Sequence, residues 1–263
     1  MAESAAPRFA PGTFAPAPGR GRLSHMLLVQ ARTETTLALR NGEQVLLTLL
    51  IPLALLVGLS TLRIVPMPSP RVDWVTPRVF ALAVMSSAFT GQAIALGFDR
   101  RYGVLKRLAA TALPRWLLVA GRVSAALAVV VVQLVLLGAV AAGLGWRPAV
   151  SGVGWAVLLV LLGTLAFGAL GVLLGGALRA EIVLAVANVV WFVLLLAGGI
   201  ALPPAMLPPG LAELAGVLPS GALAEGLRSA LVDGTAPGWQ PLATLLAWGA
   251  AAVLVSARTT RLT

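Results

Sequence analysis

Residues 123–146 run for twenty-four positions without a charged side chain, between Arg122 and Arg147. An α-helix rises about 1.5 Å per residue, so such a run reaches across a hydrocarbon layer of about 30 Å. Backbone N–H and C=O groups find no water there, and a helix satisfies them within the segment. The pattern recurs. Six apolar stretches, about 44–62, 79–98, 118–146, 155–178, 182–202 and 241–257, predict an all-α, polytopic membrane protein with six transmembrane helices. Asn41-Gly42, Pro148, Pro203-Pro204 and Pro241 punctuate the stretches as stops and starts. Of the 263 residues, 59% are hydrophobic and 11% charged, whereas soluble domains carry about 25% charge. A soluble enzyme or a nucleic-acid reader is excluded on that ground, despite the net charge of +10.

The basic residues instead report topology. With six spans, the N-terminal part, the 99–122 loop, the 179–181 turn and the C-terminal tail hold 14 Lys and Arg, against 5 on the other side. This asymmetry predicts both termini in the cytoplasm and external loops at 63–78, 147–154 and 203–240. Residues 1–22, with Pro7, Pro11, Pro16 and Pro18, read as a disordered tail without the apolar core of a secretory signal. Residues 23–41 read as a weakly amphipathic interfacial helix, and 23–263 as one transmembrane domain.

Several chemistries lack their residues. There is no cysteine, and the single histidine, His25, lies outside the spans. The single lysine, Lys106, follows Leu105 rather than a glycine-rich turn, so no P-loop is present. No Asp or Glu falls within the six span cores, which argues against proton-coupled transport. No cofactor or metal site is expected. Gln92, Gln133 and Asn188 are polar residues within the spans. They either bond to a neighbouring helix, for roughly 0.6 kcal/mol each, or line a translocation path. Frequent span glycines, among them Gly163, Gly168, Gly171, Gly175 and Gly176, predict close helix packing.

The loop DRRYGVLKRLAATALPRWLLVAGR, from Asp99 to Arg122, carries a helical stripe of Val104, Leu105 and Leu108 beside the basic Arg100, Arg101, Lys106 and Arg107. Such a helix either lies on a membrane surface or plugs into a cytoplasmic partner. Between the fifth and sixth spans, prolines break residues 203–240 and predict two short helices, roughly 208–216 and 220–232. Glu225 and Arg228, spaced i, i+3 on the second, can pair.

These pieces together resemble the ABC-2-type exporter permeases. The resemblance rests on Asp99, Arg100, Arg101, Gly103, Leu105, Leu108, Leu113 and Pro114 in the loop, and on Leu202-Pro203, Leu218-Pro219, Glu225, Leu227, Arg228 and Gly234 before the last span. Arg40 and Pro52 add a weaker match. Asp99 stands where the family more often has Glu, and Val104 where Thr is common. The resemblance implies a permease that is not itself an enzyme, pairs as a homodimer, and works with a separate ABC ATPase subunit that binds ATP. It implies that Asp99, Arg100, Arg101, Gly103, Leu105, Lys106, Arg107, Leu108 and Pro114 couple to that ATPase. It also implies that the short helices with Pro219, Glu225 and Arg228 re-enter the membrane as an outer gate. A bacterial cytoplasmic membrane and an amphipathic, drug-like or lipid-like substrate are the corresponding expectations. A secondary carrier or channel, or a membrane assembly protein, is the alternative.

Overall fold

A computed structural model describes residues 22–62, 69–110, 114–202 and 206–259. The expected tail at 1–22 apart from Arg22, together with Leu113 and the Pro203-Pro204 stop, lies outside the described residues. Among those described there is helix and no strand. In order they are α1 (Leu23–Arg40), α2 (Gly42–Thr61), α3 (Arg71–Met85), a π-helical segment (Ser86–Gly91), α4 (Gln92–Arg101), α5 (Val104–Ala109), α6 (Arg115–Gly143), α7 (Val153–Ala177), α8 (Ala180–Ala197), α9 (Pro209–Val217), α10 (Pro219–Leu231) and α11 (Trp239–Thr259).

Five rods among the described residues are long and apolar enough to cross a membrane: Arg71–Arg101, Trp116–Gly143, Val150–Ala177, Ala180–Ala197 and Trp239–Arg258. α2, which carries Pro52 inside it, offers the shorter apolar length Thr48–Thr61. The chain is a multi-pass membrane protein.

The rod Arg71–Arg101, made of α3, the π segment and α4, is the axis of the fold, with 78% of its apolar window buried inside the protein. α2 and α10 pack on its first half, and α7 and α8 on its second. Leu82, Met85 and Phe89 of the rod share one core with Leu137 of α6, Phe167 of α7, Trp191 of α8 and Leu223 of α10. α1 buries none of its residues fully and lies along α6. Gly121 permits that approach, because a Cβ there would stand 2.7 Å from Gln30 Cγ.

Two boundaries differ from the sequence expectation. The second span does not begin at residue 79: helix starts at Arg71, after an extended Pro70, so 71–78 is not loop. Charge made this stretch look like loop, yet Arg71 donates from Nε to the carbonyl of Leu59 (3.0 Å) at the end of α2, and Arg78 is buried. The fifth span ends at Ala197 rather than at 202, because Gly198 leaves helical geometry and Gly199 takes a left-handed φ of 70°. The prolines before the last span give the two short helices expected, α9 and α10, within two residues at each end.

Candidate functional site

The polar residues gather at three levels along the central rod: the α5 end, the middle, and the α10 end.

At the α5 end, Gly103 holds φ 69° and ψ 17°, a left-handed geometry that reverses the chain out of α4 and that a β-carbon would strain. α5 follows, and Pro114, extended at ψ 140°, opens α6. Three of the residues expected to dock a partner turn back onto the protein. The Arg100 guanidinium donates to the carbonyls of Gly175 (3.0 Å), Gly176 and Leu178 (3.2 Å). These lie where α7 runs out of intrahelical donors, so a cation there satisfies orphan carbonyls and complements the helix dipole. Arg101 pairs with Glu181 at the start of α8, and Asp99 with Arg122 of α6. Lys106 and Arg107 stay exposed, while Leu105 and Leu108 are half-buried. Arg107 donates to the carbonyl of Tyr102 (3.0 Å), tightening the turn.

In the middle, the π segment sets two neighbouring serines to work in different directions. Trp191 Nε1 of α8 donates to Ser86 Oγ (2.9 Å). Ser87 Oγ donates to Gln133 Oε1 of α6 (2.6 Å), and Gln133 Nε2 donates to Thr48 Oγ1 of α2 (2.9 Å). Four helices are thereby pinned by side-chain polar bonds where lipid offers no alternative partner. Gln133 is fully buried. Asn188 faces outward from α8 and donates to the Leu184 carbonyl (2.8 Å). Gln92 is half-buried, and its amide has no hydrogen-bond partner among the described residues. The three polar residues singled out from sequence are therefore not brought to one surface.

Gln92 instead lines a cavity of about 300 Å³ between α1, α2, the π segment, α4 and α6. Glu34, Asp99 and Arg122 line this cavity toward α5, and Thr48, Ser87 and Gln92 line it toward the middle of the rod. Two of these lining residues, Thr48 and Ser87, are the partners of Gln133. Glu34 and this cavity were not legible from sequence, since α1 and α6 meet about ninety residues apart; a carboxylate on a helix that should lie at an interface was the available signal.

At the α10 end, Pro219 occupies the first turn of α10, after an extended Leu218. Arg228 Nε donates to Glu225 Oε1 (2.7 Å), and its NH1 lies 2.9 Å from Asp233 Oδ2. Sequence reasoning missed the other half of this cluster. Arg78 of α3, 5% exposed, donates to the carbonyls of Trp74 (2.8 Å) and Gly199 (3.3 Å) and stands 4.0 Å from Glu225 Oε2. Both guanidinium groups lie over the Trp74 ring, at 5.5 and 5.7 Å from its centre. An arginine four residues after a tryptophan, at the edge of an apolar run, was the signal.

No curated protein matches the chain. Residues 25–232, from α1 to the end of α10, match the family model described as ABC-2 type transporter. With a helical membrane core and with that match over most of its length, the chain belongs to the ABC-2 type transporter family.

Proposed function

We propose that this chain is the membrane-spanning permease subunit of an ATP-driven exporter in a bacterial cytoplasmic membrane. Six spans, α2, the α3–α4 rod, α6, α7, α8 and α11, cross the bilayer with both termini in the cytoplasm. α9 and α10 re-enter from the outer face, where Pro219, Glu225 and Arg228 gate the path. Two copies pair, and an amphipathic drug-like or lipid-like substrate moves outward. The chain carries no catalytic chemistry; ATP is bound and hydrolysed by a separate subunit docked on α5.

The bracing of α5 is the observation that supports this reading best. A helix that receives force must be exposed on one side and stiffly joined on the other. Lys106 and Arg107 offer the exposed side. The residues just before α5 join three spans, through Arg100 on α7, Arg101 on Glu181 of α8 and Asp99 on Arg122 of α6. A push on α5 is therefore delivered to α6, α7 and α8 together.

The test is co-expression with the ATPase subunit that copurifies with the wild-type chain, in the wild type and in two variants: Lys106→Glu with Arg107→Glu, and Leu108→Asp. Both variants should insert normally, since 12 basic residues in the first and 14 in the second still outnumber the 5 on the other side. Both should lose substrate-stimulated ATP hydrolysis and export. Copurification and export at wild-type levels in both variants would falsify the docking role of α5.

A further inference from the structure

We infer that the cavity between α1, α4 and α6 is a binding site for an organic ammonium group carried on a compact apolar body. At about 300 Å³ it lies at the small end of sites for organic ligands. Its charge selects the sign of the ligand. Glu34 and Asp99 bring two carboxylates and Arg122 one guanidinium. Arg122 is already paired with Asp99, so it is not free for an anion. The Glu34 carboxylate accepts from the Gln30 amide (2.9 Å), a neutral donor, and forms no ion pair among the described residues. A carboxylate half-withdrawn from water beside apolar walls gains from a cation that can also donate hydrogen bonds.

The rest of the lining selects the body. Leu37, Ala38, Ala125, Ala126 and Val129 offer small and aliphatic contact on two sides, beside the polar Asn41, Thr48 and Ser87, which suits a compact hydrocarbon body. Toward the middle of the rod the Gln92 amide, unpartnered among the described residues, can bond one carbonyl or hydroxyl. The cavity borders the π segment through Ser87 and Gly91; such wide turns recur at functional sites. Ammonium at Glu34, hydrocarbon between α1 and α6, and a single polar group at Gln92 is the order the cavity imposes. The meaning of this site as the place where cargo is taken up rests on the permease reading; the binding itself does not.

The chemistry is shared by a free amphipathic amine and by the headgroup of an aminophospholipid. The probe is N-dansylcadaverine, titrated by fluorescence against the purified full chain in nanodiscs of phosphatidylglycerol. Saturable binding is expected in the wild type. Glu34→Gln, which keeps the shape and the Gln30 contact, should weaken it roughly tenfold, and Ala126→Phe should abolish it by filling the cavity. The N-acetylated probe, which lacks the charge, should bind like the Glu34→Gln case. If adding phosphatidylethanolamine to the disc displaces the probe, the occupant is the lipid headgroup; if it does not, the site takes the free amine. No saturable binding in the wild type, or undiminished binding by Glu34→Gln, overturns the assignment, and the second outcome does so even if Ala126→Phe fails to fold. Neither result depends on an ATPase, so failure here leaves the permease reading standing, and failure of that reading leaves the binding result intact.

Discussion

Arg78 shows most plainly what one side chain does in this fold. It sits on the helix nearest the centre, is almost fully buried, and joins α3 to the turn after α8 through Gly199 and to α10 through Glu225. Hydrogen bonds from a charged donor contribute about 1.5–3 kcal/mol each when their loss leaves an acceptor unpaired. With two such bonds at the low end of that range, Arg78→Leu should destabilise the protein by about 3 kcal/mol, read as a fall in the thermal unfolding midpoint in detergent. Arg228→Leu should cost less, about 1 kcal/mol, because its carboxylate partners are 44% and 42% exposed and water replaces part of the lost bonds. If the two variants melt alike, the burial of Arg78 does not decide its contribution. The sequence pointed to Glu225 and Arg228 because they are neighbours on one helix. Arg78 escaped because its partners lie 121 and 147 positions away, and a count of charges along the chain assigns any arginine beside an apolar run to the loop.

Helices meet in this protein through glycine, and the contacts sort the glycines that sequence alone treats alike. A Cβ on Gly175 would stand 2.5 Å from the Ala93 carbonyl oxygen, and one on Gly171 2.7 Å from that of Phe89, so α7 lies directly on the backbone of the rod. A Cβ on Gly168 meets nothing within 4 Å. Glycine to alanine inside a helix gains about 1 kcal/mol of propensity, whereas forcing a methyl group against rigid backbone costs about 1–3 kcal/mol. Gly168→Ala should thus match or exceed the wild type in thermal stability, and Gly175→Ala should fall below it; the reverse order would mean that α7 does not sit where it is placed. Helix existence was legible because uncharged length is a one-dimensional property, and the broken α9–α10 pair was legible from its prolines. The π segment left no mark on the pattern, since Ser86 to Gly91 reads as ordinary apolar helix until Ser86 and Ser87 are seen to reach different neighbours. The loop Asp99–Leu108 was legible as a basic helix with an apolar stripe, but not the division of its charges between braces and exposed surface, which depends on the ends of α7 and α8.

For the molecule as a whole, orientation is the property on which the proposed activity depends. Because the chain has no cysteine, single cysteines report position without background. Ser69→Cys and Thr235→Cys should react with a membrane-impermeant maleimide in intact cells, and Ala110→Cys only after the cells are opened; the opposite pattern would reverse the protein and place α5 out of reach of any ATPase. The two ends of the molecule share one rod, and that rod is geared at its midpoint. A helix advances its faces by about 100° per residue. Letting the π segment relax to α-helix with all its residues kept would turn everything beyond it by about that step, because a π turn holds about one residue more than an α turn. Arg78 and Trp74, on the near side, would keep their partners. Asp99 would swing off Arg122, Arg100 off the α7 carbonyls and Arg101 off Glu181. The backbone between Ser86 and Gly91 is thus an indexing tooth, and the alignment of the α5 end with the α10 end is fixed by how many residues its turn holds.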